Sequence, residues 1–98
     1  MTKLMEFKET LKPFEKIEQQ IEFKEADYQV YFELRKYEGS LKKLVSFLDN
    51  DGKEVLSKEL PDTAFIKPYT NVAKIYIVNT SEKEQEVEFR IVAGVRLL

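Results

Sequence analysis

Apolar and polar residues alternate strictly at the end of the chain. Val87, Phe89, Ile91, Ala93, Val95 and Leu97 are apolar, and Glu86, Glu88, Arg90 and Arg96 fall between them. A period of two over 86–97 predicts one long strand with a single buried face. Val92 and Leu98 fall on its charged side, and Gly94 marks a point where a bulge or a close backbone approach is expected. Val72-Ala73-Lys74-Ile75-Tyr76-Ile77-Val78 is β-branched and aromatic, with apolar residues at both parities, which predicts a central strand covered on both faces. Turn formers from Asn79 to Lys83 separate these two segments and predict that they pair as an antiparallel hairpin. Leu41 to Leu48 and Lys53 to Leu60 flank Asp49-Asn50-Asp51-Gly52 and predict a second hairpin, because Asn and Asp tolerate left-handed backbone and Gly takes positive φ without steric cost. Tyr28, Val30, Phe32 and Leu34 alternate with Gln29, Tyr31, Glu33 and Arg35 ahead of a turn at Glu38-Gly39-Ser40, which adds another half-buried strand.

The first quarter reads two ways. Phe14, Ile17 and Ile21 at i, i+3 and i+7 behind Pro13 fit a helix over 14–25. Ile17, Gln19, Ile21 and Phe23 share a parity, Phe23 lies off the helical stripe, and agreement with the later strands favours a strand. Short strands at ~8–12-residue spacing predict an all-β chain, a single antiparallel β-sandwich domain of seven or eight strands over 1–98.

Composition narrows the chemistry. Hydrophobic residues are 43% and charged residues 35% of the 98, too apolar for disorder and, with no long uncharged run, too polar to span a membrane as a helix. The absence of Cys and His removes disulfides, thiolate and imidazole metal sites, cysteine nucleophiles and the commonest general base. No cofactor is expected. The net charge of −2 comes from 18 acidic and 16 basic residues scattered evenly, so no field of one sign is available to attract nucleic acid. An excess of Lys and Glu without Cys, His or Trp matches proteins from hot environments, where ion-pair networks gain value. Glu6 and Glu9 fall where a signal peptide needs an apolar core, so the sequence as it stands predicts a cytoplasmic protein.

Each chemical motif has a plainer reading. Asp49-Asn50-Asp51-Gly52-Lys53-Glu54 is oxygen-rich, but it lacks one acidic position of a calcium loop and lies between strands, so a hairpin turn is expected and no metal. Asn79-Thr80-Ser81 matches the N-glycosylation pattern, and its turn-forming role is preferred. Lys42-Lys43, near Arg35 and Lys36, reads as a solvated strand face. Carboxylates alone would need an acid of raised pKa in a cleft, and no serine has a His partner, so no catalytic residue is predicted. Tyr28, Phe32, Phe47, Phe65 and Phe89 are expected in the core. Tyr31, Tyr37, Tyr69 and Tyr76 are expected to expose their hydroxyls, and exposed Tyr favours recognition. Tyr69, Thr70 and Asn71, in a loop opened by Pro68, together with Tyr76, Tyr31, Val92 and Leu98, form the candidate contact surface.

From Tyr28 to Ala93 the order of features resembles the GOLD (Golgi dynamics) domain. A strand, the Gly39 turn, a strand, the Asp49-Asn50-Asp51-Gly52-Lys53 turn followed by Val55-Leu56, and Lys74-Ile75-Tyr76-Ile77-Val78-Asn79 precede a closing strand. The resemblance implies a small β-sandwich, GOLD-like beside the immunoglobulin-like and jelly-roll forms, with a non-catalytic role in protein contacts. The paired cysteines, signal peptide and transmembrane helix of the trafficking members have no counterpart in this sequence. The expected function is an interaction or oligomerisation module whose partner is a protein, a second copy as a homodimer included. A module binding a small carbohydrate or lipid ligand is the alternative.

Overall fold

A computed structural model describes residues 2–24 and 28–96, with the Arg96 side chain outside the description. Among the described residues eight strands form: β1 (Lys3–Leu11), β2 (Lys16–Glu22), β3 (Tyr28–Lys36), β4 (Leu41–Leu48), β5 (Glu54–Glu59), β6 (Thr63–Ile66), β7 (Val72–Asn79) and β8 (Gln85–Arg96). They make two antiparallel four-stranded sheets, sheet A in the order β1-β8-β3-β6 and sheet B in the order β2-β7-β4-β5. The all-β sandwich expected from the alternation is present, and no helix long and apolar enough to cross a membrane occurs among the described residues.

The core is what period two dictates. Val87, Phe89 and Ile91 of β8, Val30, Phe32 and Leu34 of β3, Ala73, Ile75 and Ile77 of β7 and Val45 and Phe47 of β4 point between the sheets and are buried. Each such Val, Leu, Ile or Phe side chain contributes roughly 1.5–3 kcal/mol on leaving water. Phe89 joins the rings, stacked on Phe7 at 4.4 Å and tilted against Phe32 at 6.1 Å.

The helix expected over 14–25 does not form over 14–24, and residue 25 lies outside the described residues. Pro13 opens a turn in which the Glu15 amide bonds to the Lys12 carbonyl at 3.0 Å and Phe14 takes a φ of 64°. β2 follows, and Ile17, Gln19 and Ile21 lie opposite Ile77, Ile75 and Ala73. Shared parity prevails because β7 offers a full row of backbone partners, which a helix could not use. The strands Lys3–Leu11 and Thr63–Ile66 have no counterpart in the sequence expectations.

The hairpin expected between Val72–Val78 and the closing strand is absent. β7 pairs with β2 and β4, β8 pairs with β1 and β3, and the two lie in different sheets. β7 is central, as expected, but no further layer covers its outer face, where Val72, Lys74, Tyr76 and Val78 are half-buried. The hairpin of β4 and β5 does form, as predicted; the other successive strands alternate between sheets. Asp49 sets its turn, accepting the amides of Asp51 and Lys53 on Oδ1 at 2.9 Å each, with Gly52 at φ 79°.

The crossing from β7 to β8 is fixed by buried amides. Asn79 is 0% exposed and its Nδ2 donates to the carbonyls of Leu11 and Lys83. Gln85 Oε1 accepts the amides of Glu38 and Gly39, at 3.0 and 2.8 Å. These bonds tie the connections after β1, β3 and β7 together at one end of the sandwich. The Asn79 amide is thus spent inside the fold, in keeping with a turn-organising role.

Gly94 is the bulge the sequence pointed to. Its φ is 79°, and Ala93 lies opposite Val30 while Val95 lies opposite Gln29, so Gly94 is the extra residue. The alternation reverses there: Val95 shares the outward face of Gln29, and the single buried parity expected through Leu97 ends at the bulge.

Candidate functional site

The outward side chains of sheet A alternate with its core residues, and one row of them is apolar across all four strands. Leu4 of β1 lies opposite Val92 of β8, Val92 opposite Tyr31 of β3, and Tyr31 opposite Phe65 of β6. Leu4 is 54% exposed and Phe65 53%, while Val92 and Tyr31 are half-buried by their neighbours. Tyr31 and Phe65 rest against each other with centroids 5.0 Å apart.

A polar row borders this stripe, with Glu6, Arg90 and Glu33 charged and Thr63 ending it in register. Arg90 Nε lies 3.0 Å from Glu33 Oε1, an ion contact, and its guanidinium sits 5.9 Å from the Tyr31 ring centre. The Tyr31 hydroxyl donates to Glu33 Oε2 at 2.9 Å, and that bond raises its pKa above the ordinary phenol value. That bond holds the phenol proton between Tyr31 and Glu33.

The sequence candidates do not form one surface. Tyr31 and Val92 are brought together in the sheet A row. Tyr76 stands on the opposite side of the molecule, on the outer face of sheet B, with the Lys16 ammonium 5.3 Å from its ring centre. Tyr76 is raised in pKa by burial and by Glu18, whereas the Tyr76 hydroxyl and Lys74 hold the Glu18 carboxyl below its usual range. Tyr69 is 65% exposed in the loop between β6 and β7 and meets Phe47 edge-on at 5.9 Å. Thr70 and Asn71 are occupied locally: the Thr70 hydroxyl donates to the Val72 carbonyl, and the Asn71 carbonyl accepts the Phe23 amide. Leu98 lies outside the described residues.

Sequence reading missed Leu4 and assigned Phe65 to the core. In Thr63-Ala64-Phe65-Ile66 the contiguous apolar residues carry no parity. The structure turns Ala64 and Ile66 inward and leaves the larger ring outside. Tyr28, also expected in the core, is half-buried.

Clefts open at both flanks of the sandwich. Beside β5 and β6 a cleft of about 380 Å³ is lined by Val45, Phe47, Leu60, Ile66 and Tyr69 among others. Beside β1 and β2 another of about 440 Å³ reaches Met5, Ile21, Tyr28 and Gly94. The carboxylates with shifted pKa, Glu18 and Asp62, move downward, the opposite of what a general acid requires. Among the described residues no group of three or more Asp and Glu is placed to hold a metal ion. Compared with family models, curated proteins and solved structures, the chain matches none.

Proposed function

We propose that this chain is a non-catalytic β-sandwich interaction module that offers the outer face of sheet A to a protein partner. The carrying observation is the uncovered row Leu4, Val92, Tyr31 and Phe65, apolar across the whole width of the sheet and bordered by charge. Aromatic anchors beside Arg within a polar rim are the composition of contact surfaces. The likeness of residues 28–93 to the GOLD pattern supports the same kind of role. The strand orders β1-β8-β3-β6 and β2-β7-β4-β5, with chain crossings between sheets, support the jelly-roll form of the sandwich.

The test is capture from the native organism with the wild-type protein and the variants Phe65→Ser and Tyr31→Ser, each checked for intact fold by circular dichroism. The expected result is a partner that both variants lose. Identical capture by all three proteins would remove the reading.

The second reading, a small carbohydrate or lipid ligand, is favoured by the cleft at β5 and β6, which meets the ~300 Å³ such a site needs and has Tyr69 at its mouth. Chemical-shift changes confined to Phe47, Ile66 and Tyr69 on adding short oligosaccharides or fatty acids would support it over protein contact.

A further inference from the structure

The flank formed by β1 and β2 carries unsatisfied surface of two kinds. β1 is an edge strand of sheet A and β2 an edge strand of sheet B, so each has one side with no strand beside it among the described residues. β1 is unusually open for an edge. Its nine residues keep one unbroken register with β8, with no bulge and no proline, whereas β6 has four residues and β5 meets β4 through a register shift. Long, regular edges are templates for another strand unless blunted. Between the two edges, Met5, Phe7 and Ile17 are core side chains only partly covered, and the 440 Å³ cleft opens beside Met5, Gln19 and Ile21.

We propose that a second copy of this chain covers this flank, β1 pairing antiparallel with the same strand of its partner about a twofold axis at Phe7. The inference deepens the interaction reading by naming a partner, at an edge that adjoins the sheet A row through Leu4 and Glu6 and lies away from Tyr31 and Phe65.

The order of charges on β1 selects both occupant and register. In a twofold antiparallel pair that keeps the two faces of the sheet, a residue on the axis faces its own copy, and the residues before and after it face each other. With the axis at Phe7, Glu6 stands opposite Lys8 of the other copy, twice, both on the exposed outer face. Lys3 and Glu9, at opposite ends of the inward row, become diagonal neighbours within reach of long side chains. Moving the axis to Glu6 sets two carboxylates face to face, and moving it to Lys8 does the same with two ammonium groups. The residue order of β2 suits a twofold pair as well. Centred on Gln19, that strand places Lys16 opposite Glu22 and Ile17 opposite Ile21. Lys8 already makes long ion pairs with Glu86 and Glu88, at 3.9 and 3.8 Å, and its side chain stays 66% exposed, so Glu6 of the other copy would join carboxylates that Lys8 already meets.

The experiment is sedimentation velocity over a concentration series with wild type, Glu6→Lys, Lys8→Glu, the double variant, and an equimolar mixture of the two single variants. Wild type is expected to dimerise. Each single variant sets like charges opposite one another at two places and should weaken dimerisation by roughly tenfold or more. The double variant restores opposite signs, and the mixture forms a heterodimer in which a strand with Lys at 6 and 8 faces one with Glu at both. Recovery in the mixture also shows that both single variants are folded. A wild type monomeric throughout, single variants that dimerise like wild type, or a mixture that stays monomeric would overturn the proposal. Phe65→Ser should dimerise as wild type does, which separates failure of this interface from failure of the sheet A contact surface.

Discussion

Gln85 Nε2 donates to Asn79 Oδ1 at 2.7 Å inside the sandwich, linking the first residue of β8 to the last of β7 across the gap between sheets. Both side chains are buried, and both reach other connections: Asn79 to Leu11 and Lys83, Gln85 to Glu38, Gly39 and Ser40. Truncating Asn79 leaves the buried Leu11 carbonyl without this donor, and truncating Gln85 takes the acceptor from the part-buried amides of Glu38 and Gly39. Asn79→Ala and Gln85→Ala should each lower stability by about 2–4 kcal/mol. Their combined loss should be less than additive, because they share one network. Urea unfolding of the two single variants and the double variant measures this; losses under about 1 kcal/mol would mean the crossings are held by other means.

Gly39 lies in the same knot. A Cβ there would meet Ser81 Cβ at 3.0 Å and Gln85 Nε2 at 3.3 Å. Gly39→Ala should therefore cost about 1 kcal/mol, and the cost should shrink in a Ser81→Gly background. Gly52→Ala should cost a similar amount for another reason, since open space surrounds that position and only its φ of 79° resists a side chain. Gly52→Asn should recover part of that loss.

Phe32 and Phe65 lie one strand apart and differ in every physical respect that matters. Phe32 is 0% exposed in the core, whereas the Phe65 ring stands on the outer face of sheet A. Phe32→Ala should cost about 3–5 kcal/mol. Phe65→Ala should stay within roughly 1 kcal/mol of wild type. Thermal unfolding of both variants tests the face assignment of β6, and a large loss at Phe65 would place that ring in the core.

Asp62 gives a pH signature. The Lys43 ammonium, 2.9 Å from Oδ1, holds the carboxyl below its ordinary value, helped by the Tyr37 hydroxyl at 3.3 Å from Oδ2. A depressed carboxyl stabilises the folded state above its unfolded pKa of about 3.9, and that contribution disappears as pH falls through the lower folded value. The carboxylate is half exposed, so the amount is under about 1 kcal/mol. Asp62→Asn should be slightly less stable than wild type at pH 7 and equal to it near pH 2. A difference independent of pH would assign the effect to packing instead.

The amino-acid order alone determined what is local. Strict alternation over 86–93 and 28–35 specifies strands with one buried face, Asp49 through Gly52 specifies a hairpin, and Gly94 marks a bulge or a close backbone approach, because each depends only on neighbours along the chain. The tertiary structure alone decided which strands pair. Period two says that a face is buried and not against what, so β7 and β8 read as a hairpin although Asn79 and Gln85 send them to different sheets. It also decided what remains outside: Phe65 and Leu4 join Tyr31 and Val92 only through register across four strands, a relation between residues up to 88 positions apart. Hydrogen bonds between distant segments set that register, and no window along the chain contains them.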